Sequence, residues 1–265
     1  VDPRHIGVSR PVALGIVADA RTTLEGLVAK LRDRKLASRG RTDVPALRQG
    51  YGAWVQGIRD QVASWSGPGI HPAHACAAIG EVFGRDAVYV ADGGNTSLWA
   101  ALALPSTRPS SYHSILEFGM LGTGIPSAIG AKLGAPDREV VCVTGDGAAG
   151  FNAMELQAAA RDGIKLTVVV MAEGEWTMEI PNEMARWGRT FGTTMGEVRW
   201  DMVAQGLGCH GEFVESLDDL PAALMRARDH ERPALVCVRT SKDANLSIPQ
   251  DVVGRFFEVY FGPSA

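Results

Sequence analysis

The chain has 265 residues, of which 46% are hydrophobic and 21% charged, a composition typical of a globular protein and not of a disordered one. It carries 26 Lys and Arg against 30 Asp and Glu, a net charge of -4 without any basic run, which argues against nucleic-acid binding. No apolar stretch approaches the ~20 residues that a bilayer-spanning helix needs. We therefore expect neither nucleic acid nor membrane as a partner.

The cysteines and glycines narrow the class of protein further. The four cysteines lie far apart with no Cys-x-x-Cys pair, which argues against a zinc site and predicts core residues of a protein in a reducing, cytoplasmic location; they are Cys76, Cys142, Cys209 and Cys237. Glycine accounts for 31 residues, about 12% against a usual ~7%, with the excess between residues 93 and 150. We expect the chemistry of the protein in that stretch.

The first seventy residues predict the end of one domain and a linker. The segment PVALGIVA at residues 11–18 predicts a buried strand, and Asp19 begins an amphipathic helix. Because one strand and one helix cannot form a domain, we interpret residues 1–31 as the end of a truncated middle α/β domain. The polar stretch 32–69, rich in Gly and Pro near its end, predicts a linker with one helix over residues 47–65.

Beyond residue 70, apolar strands alternate with helices. The predicted strands cover residues 87–91, 140–144, 166–172, 212–214 and 234–239, and the predicted helices cover residues 71–83, 125–133, 154–162, 198–207 and 220–229. This alternation predicts an α/β fold, a parallel sheet with helices on both faces, that binds ligands outside the carboxyl ends of its strands. We assign residues 70–245 to this domain and residues 246–265 to a tail.

Three glycine-rich loops fall at those carboxyl ends: residues 92–96 (DGGNT), 119–124 (GMLGTG) and 145–149 (GDGAA). In the third loop, Gly147 and Ala148 allow close approach of a ligand, and we expect their amides to open the helix that contains Glu155 and Leu156, which suits phosphate. A carboxylate beside a phosphate is repulsive unless a cation lies between them, so the neighbouring aspartate predicts Mg²⁺ with shared oxygen ligands. The sequence has no GxxxxGK[ST] motif and no clean dinucleotide fingerprint, which disfavours a kinase or a nicotinamide enzyme.

The third loop, the Glu155-Leu156 pair, an Ala-rich helix, an apolar strand and the polar loop 172–179 together resemble the metal-diphosphate motif of thiamine-diphosphate enzymes. The resemblance is to the acetohydroxyacid synthase and 2-oxoacid decarboxylase group, and it covers nearly the whole chain. Residues 1–30 resemble the end of that family's middle domain, and residues 71–239 resemble its C-terminal, diphosphate-binding domain. The implied fold is the thiamine-diphosphate-binding fold.

The resemblance implies thiamine diphosphate and Mg²⁺ as cofactors and assigns residues to each. Mg²⁺ would be held by Asp146, Glu173 and the backbone carbonyl of Glu175. The diphosphate would be held mainly by backbone contacts, from Gly94, Asn95, Gly145, Gly147, Ala148, Trp176, Thr177 and Met178. The turn Gly119-Met120-Leu121 would grip the aminopyrimidine, with the Gly119 carbonyl accepting from the 4′-amino group and Leu121 wedging the cofactor into a V shape. An ordinary core leucine is the alternative for Leu121.

Two carboxylates are open to more than one interpretation. The family carries Asn-Asn where this chain has Ala172-Glu173, so a neutral ligand becomes a charged one. Either Glu173 still binds the metal and makes cofactor loading more dependent on Mg²⁺, or it points to solvent and the site is degenerate. Glu179 matches a substrate-facing acid of decarboxylase-like members, where a dry cleft would let it hold a proton; an exposed loop glutamate is the alternative.

The implied function is the cofactor-binding part of an enzyme that acts on 2-oxo acids by acetolactate-synthase-like carboligation. The alternatives are a simple 2-oxoacid decarboxylase or aldehyde lyase, and a noncatalytic assembly module that has lost its metal site. In the family, the glutamate that activates the pyrimidine lies in an N-terminal domain that this sequence does not contain, so we expect this chain alone to be inactive, as a truncated piece or one subunit. The implied partners are a 2-oxo acid or aldehyde and further copies of the chain in a homodimer or homotetramer.

Overall fold

The computed structural model describes residues 3–8, 11–32, 34, 43–114 and 119–249. The chain forms two compact units, residues 1–55 and 56–265. The first unit contains the helix α1 (Ala20–Arg32) and the start of α2 (Asp43–Ala63). The amide of Thr22 donates to Asp19 Oδ1 at 3.0 Å, which is the cap that the sequence predicts for α1.

The predicted strand over residues 11–18 is wrong. These residues form no strand, and the side chains of Val12, Leu14 and Ile16 are exposed. An isolated strand would leave its backbone donors and acceptors unpaired. No strand in the described part of the chain pairs with residues 11–18. The apolar composition of the segment therefore does not by itself produce a strand here.

The second unit is built on a six-stranded sheet in which every pairing is parallel, with the strand order β2-β1-β3-β4-β6-β5. The strands are β1 (Val88–Asp92), β2 (Tyr112–Ser114), β3 (Val140–Gly145), β4 (Thr167–Ala172), β5 (His210–Val214) and β6 (Ala234–Arg239). The sheet confirms the predicted fold class and all five strands predicted beyond residue 70. The sequence missed β2, which has only three residues at an edge of the sheet and lacks an apolar run.

Helices cover the sheet, and their bounds differ from the predictions mainly around the glycine-rich loops. They are α3 (Pro72–Phe83), α4 (Gly94–Ala103), α5 (Gly124–Gly134), α6 (Asp146–Asn152), α7 (Glu155–Arg161), α8 (Ile180–Trp187), α9 (Trp200–Gly206), α10 (Leu220–Asp229) and α11 (Lys242–Leu246). The loop at residues 145–149 opens α6, and the helix that contains Glu155 is a separate one. The predictions did not include α4, α6, α8 and α11 as separate helices.

The core lies between the central strands and the helices packed on them. Val141, Val143 and Val169 have no exposed surface, as expected for strands covered on both faces. All four cysteines are free and buried, which confirms that they are core residues. None of the helices in the described part of the chain combines the length and the apolar character that crossing a bilayer takes.

The predicted domain boundaries remain predictions. Along the sequence, the boundary between the two compact units falls between residues 55 and 56. The helix α2 occupies much of the predicted linker at 32–69. Its bounds agree with the single helix predicted there. Residues 35–42 of that linker and residues 250–265 of the predicted tail lie outside the described residues.

Candidate functional site

The strand order places a crevice between β1 and β3. The strand β2 lies beyond β1 and β4 lies beyond β3, so the chain winds away from this point in both directions. The loops that follow β1 and β3 touch here: a Cβ added to Gly93 would lie 3.2 Å from the Gly145 amide nitrogen, and one added to Gly145 would lie 3.1 Å from Thr96 Oγ1. Gly93 also has a φ of +95°, which a side chain would strain. The loops at 92–96 and 145–149 can approach this closely because they are rich in glycine.

A buried carboxylate joins the first glycine-rich loop to the second. Asp92 accepts hydrogen bonds from the amides of Gly93 and Gly124, both at 2.7 Å, and from that of Gly122 at 3.3 Å. Burial raises the pKa of Asp92, and the three amides act in the opposite direction because they stabilise the carboxylate. Asp92 therefore holds the loop at residues 119–124 against the end of β1.

Two glycines of α5 make a matched test of this packing. A Cβ on Gly124 would lie 2.6 Å from Asp92 Cβ and 3.0 Å from Cys142 Sγ, whereas a Cβ on Gly130 would meet nothing within 4 Å. We expect Gly124→Ala to lower the free energy of unfolding by about 1–3 kcal/mol through overpacking. Gly130→Ala, its control, should raise it by about 0.5–1 kcal/mol because alanine favours the helix. Denaturant unfolding measures both, and equal effects of the two substitutions would contradict the packing.

A second buried carboxylate joins the third loop to the end of β4. Asp146 Oδ1 accepts from the Gly147 amide at 2.8 Å, while Oδ2 accepts from the amides of Glu173 at 2.8 Å and Gly174 at 2.6 Å. Burial raises the pKa of Asp146, and the backbone amides oppose that shift. The structure thus confirms that the aspartate and the tip of the neighbouring strand meet.

Glu173 has one satisfied and one unsatisfied carboxylate oxygen. Its Oε1 accepts from Thr177 Oγ1 and from Asn245 Nδ2, each at 2.5 Å, while Oε2 is buried and has no hydrogen-bond partner. Burial raises the pKa of Glu173 to about 7; the two donors oppose the shift, and the nearby charges of Asp146 and Glu175 add to it. A buried carboxylate oxygen without a donor is unfavourable unless the group is protonated or a cation binds it. Glu173 does not lie free in solvent, as one of the two interpretations required.

The oxygen ligands available here suit a hard cation that is shared with a ligand. The side chain of Glu175 turns to Lys242 Nζ at 3.2 Å and to Thr194 Oγ1, so only its backbone carbonyl fits the predicted role. Within the described ranges, no group of three or more His, Cys, Asp and Glu side chains is arranged to hold a metal. Mg²⁺ commonly binds through one or two carboxylates and completes its shell with phosphate oxygens and water. Asp146 and Glu173 fit that donor set.

Two glycines let the segment after β4 pack closely on the first and third loops. A Cβ on Gly147 would collide with the indole ring of Trp176, and one on Gly94 would lie 2.5 Å from Met178 Sδ. These contacts bring the segment 173–178 against both the first and the third loop. Two amides assigned to the diphosphate already have partners, since Gly147 donates to Asp146 and Trp176 donates to the Thr193 carbonyl at 2.7 Å. A diphosphate would have to share or replace those hydrogen bonds.

The second loop has an exposed first part and a buried end at Gly122 and Gly124. Gly119 is exposed with a φ of +60°, Met120 is 59% exposed, and Leu121 is half-buried. Asn152 Nδ2 donates to the Gly122 carbonyl at 2.8 Å and holds the loop against α6. The structure therefore supports neither a fully buried core leucine nor a fixed wedge, and the role of Leu121 stays a prediction.

Glu179 lies at the amino end of α8 and is exposed. Its amide donates to the Trp176 carbonyl at 3.0 Å, and its own carbonyl accepts from the Glu183 amide. The role of proton donor requires a dry cleft around the carboxylate. The described part of this chain does not provide that burial, so the role remains a prediction.

The sequence of the chain matches a known protein family. A family model described as the thiamine pyrophosphate enzyme, C-terminal TPP binding domain, matches residues 92–238, more than half of the chain. The match extends from Asp92 nearly to the end of β6. The chain belongs to the thiamine pyrophosphate enzyme family.

Relatives of this TPP-binding domain include synthases, an acyltransferase and a decarboxylase. The chain is 32% identical to the acetolactate synthase large subunit IlvG of Mycobacterium tuberculosis, over 91% of this chain and 43% of that protein. It is 27% identical to the sulfoacetaldehyde acetyltransferase of Alcaligenes xylosoxydans xylosoxydans, over 86% of this chain and 41% of that protein. The solved thiamine diphosphate-dependent 4-hydroxybenzoylformate decarboxylase of Rhodococcus jostii RHA1 has a TM-score of 0.63 and 29% identity, over 67% of this chain and 34% of that one. The chain spans less than half the length of these proteins.

Thr177, which was predicted as a contact of the diphosphate, donates its hydroxyl to Glu173. Two residues were not predicted as part of the site: Asp92, which holds two loops together, and Asn245, which reaches the Glu173 carboxylate from α11. An aspartate directly before two glycines at a strand end was a signal for the first. No local pattern marks Asn245, because it lies 72 positions from Glu173.

Proposed function

We propose that this chain forms the cofactor-binding part of a thiamine-diphosphate-dependent enzyme that acts on 2-oxo acids by acetolactate-synthase-like carboligation. The observation that carries the proposal is the meeting of the Asp146 carboxylate with the tip of β4, through the amides of Glu173 and Gly174. This is the place where a divalent ion shared with a diphosphate would be held. The similarity to acetolactate synthase supports the reaction class.

In this proposal the metal and the diphosphate have separate protein ligands. Asp146, Glu173 Oε2 and the Glu175 carbonyl hold Mg²⁺. The diphosphate is held between the first and third loops and the segment after β4, by Gly94, Asn95, Gly145, Gly147, Ala148, Trp176, Thr177 and Met178. Backbone amides of the glycine-rich loops would supply hydrogen-bond donors to the phosphate oxygens.

The remaining residues act on the organic part of the cofactor and on the substrate. When bound, thiamine diphosphate supplies a nucleophilic carbon and an electron sink for the decarboxylation of a 2-oxo acid. The turn Gly119-Met120-Leu121 orients the aminopyrimidine, and Asp92 keeps that turn in place through the Gly122 and Gly124 amides. Glu179 would hold a proton for the substrate if another part of the full enzyme covers it.

Simple 2-oxoacid decarboxylation is the second candidate. It is favoured by the likeness to the solved 4-hydroxybenzoylformate decarboxylase, whose name describes a decarboxylation. The two reactions differ in whether the acyl unit left after loss of CO₂ takes up a proton or a second carbonyl compound. A proton supplied by Glu179 would favour decarboxylation.

The proposal includes a 2-oxo acid or aldehyde substrate, assembly as a homodimer or homotetramer, and a cytoplasmic location. Exposed apolar side chains near the site support assembly: Phe151, which packs on Gly122, is 60% exposed, and Met154 is 67% exposed. Burying such side chains against another chain would remove apolar surface from water, about 25 cal/mol for each Å².

Calorimetric titration of the full-length protein tests the cofactor assignment. We expect thiamine diphosphate to bind in the presence of Mg²⁺ and at least about 100-fold more weakly in EDTA, because the ion screens the diphosphate from Asp146 and Glu173. Because the chain alone is expected to be inactive, incubation of the loaded protein with pyruvate in the presence of the family's N-terminal domain then separates the two reactions: carboligation yields 2-acetolactate, and simple decarboxylation yields acetaldehyde.

Two results would contradict the proposal. Absence of binding heat with and without Mg²⁺ would favour the noncatalytic assembly module. Equal affinity with and without Mg²⁺ would remove the metal from the site and leave only the cofactor assignment. A protein that carries Asp162→Ala, a change at an exposed surface aspartate paired with Arg161, serves as the matched control and should bind like the wild type.

A further inference from the structure

We propose that Asn245 is the positioning residue that directs Glu173 toward the metal, acting through the carboxylate and not on the cofactor itself. The inference rests on the proposed function, because it deepens the account of the same site. It assigns a role to α11, a helix that follows the last strand and carries no glycine-rich motif.

The orientation of the Asn245 amide is determined by its neighbours. Trp99 Nε1 donates to Asn245 Oδ1 at 3.0 Å, and an indole N–H can only donate. The oxygen of the amide must therefore face Trp99, which turns Nδ2 toward Glu173 Oε1, 2.5 Å away. Both Asn245 and Trp99 are buried, with 4% and 1% of their surface exposed, so water does not offer alternative partners.

Asn245 is also anchored through its backbone. Asn95 Nδ2 donates to the Asn245 carbonyl at 3.3 Å, and the Asn245 amide donates to the Ser241 carbonyl at 2.9 Å. The first contact connects α11 to α4, which begins in the first glycine-rich loop. Asn245 is thus held from α4 at two points, since Trp99 binds its side chain and Asn95 binds its backbone carbonyl. Its backbone N–H is held within its own helix.

This arrangement decides which oxygen of Glu173 is available. Asn245 and Thr177 both donate to Oε1, so the donors near the carboxylate are used on one oxygen and Oε2 is left without a partner. A glutamate has three side-chain torsions, one methylene more than the family's asparagine, and needs more ordering to place an oxygen. Polar groups that orient a metal ligand in this way typically change metal affinity by about 10- to 100-fold when removed.

The test measures the Mg²⁺ concentration that gives half-maximal binding of thiamine diphosphate to the full chain, with binding followed by calorimetry. We expect Asn245→Ala to raise this concentration about 10- to 100-fold. The matched control is Ser241→Ala, which removes the side-chain cap of the same helix, the bond from the Ala244 amide to Ser241 Oγ, without touching Glu173. The control should leave the Mg²⁺ concentration within about 2-fold of wild type, well below the change expected for a metal-orienting group.

A double substitution separates positioning from general damage. In a Glu173→Ala background, Asn245→Ala should cause no further change, because the group through which it acts is gone. If Asn245→Ala does not fold, Trp99→Phe makes the same test, since it frees the Asn245 amide to turn its oxygen toward Glu173 and should raise the Mg²⁺ requirement.

The outcomes are distinct. A wild-type Mg²⁺ requirement in Asn245→Ala, or an equal rise with Glu173 absent, would overturn the positioning role while leaving the proposed function intact. Failure of the wild-type protein to show any Mg²⁺-dependent binding would overturn the proposed function and this inference with it. A rise that depends on Glu173 and is absent from Ser241→Ala supports it.

Discussion

Replacement of Asp146 by alanine is expected to abolish Mg²⁺-dependent binding of thiamine diphosphate and to lower the free energy of unfolding by about 3 kcal/mol or more. The carboxylate accepts three backbone amides, those of Gly147, Glu173 and Gly174. Each buried amide left without an acceptor costs about 1–3 kcal/mol, and relief from burying the carboxylate offsets only part of that cost. Loss of one of the two metal carboxylates should also weaken cofactor binding by at least about 100-fold.

Denaturant unfolding and calorimetry measure these two effects separately. Asp162→Ala is the control, because that carboxylate is exposed and contacts only its neighbour Arg161 at the surface. A stable Asp146→Ala protein that still binds the cofactor in an Mg²⁺-dependent manner would show that the junction between the third loop and β4 is not the metal site.

Replacement of Glu173 by glutamine is expected to stabilise the cofactor-free protein at alkaline pH. The pKa of Glu173 is raised to about 7 by burial, whereas the ordinary value of 4.5 applies when the chain is unfolded. Between these values the folded state binds more protons than the unfolded state, so the stability contributed by this group falls as pH rises. A glutamine imitates the protonated acid at every pH. The stability of the variant relative to wild type should therefore increase by about 2–3 kcal/mol between pH 5 and pH 8.

Thermal or denaturant unfolding of both proteins across this pH range measures the difference in their free energies of unfolding. The other carboxyl groups are common to both proteins, so their titration cancels in this difference. Glu155→Gln, a change at an exposed residue at the start of α7, is the matched control for replacing a glutamate by glutamine. A variant less stable than wild type at pH 8 would mean that the Glu173 carboxylate is already compensated in the folded protein. With Mg²⁺ and thiamine diphosphate added, the advantage of glutamine at pH 8 should shrink, because a bound cation stabilises the Glu173 carboxylate.

The Glu173 carboxylate is unfavourable in the free protein and would be stabilised by a bound cation, which gives a reason for a glutamate at this position. Its Oε2 is unpaired in the structure, and a cation would supply the missing partner. Stability is then lower in the free protein in exchange for a site that is complete only when the metal is present, a pattern common at functional sites.

The sequence by itself determined the class of the fold and the loops that meet at the candidate site. Periodicity located five of the six strands, because buried parallel strands are apolar along their whole length and stand out from the helices between them. Glycine-rich loops after these strands located the crevice, since parallel strands bring their carboxyl ends to one edge. The same reasoning failed at residues 11–18, where apolar composition occurs without a neighbouring strand to pair with.

Only the tertiary structure decided how the polar groups are satisfied. Asp92 accepts amides 30 and 32 positions away, and Glu173 receives a hydrogen bond from Asn245, 72 positions away. Such pairs leave no trace in local pattern, because a hydrogen bond depends on distance and direction in the folded chain and not on spacing along it. The sequence therefore predicted which carboxylates lie at the candidate site, while the fold determined which of their oxygens have hydrogen-bond partners.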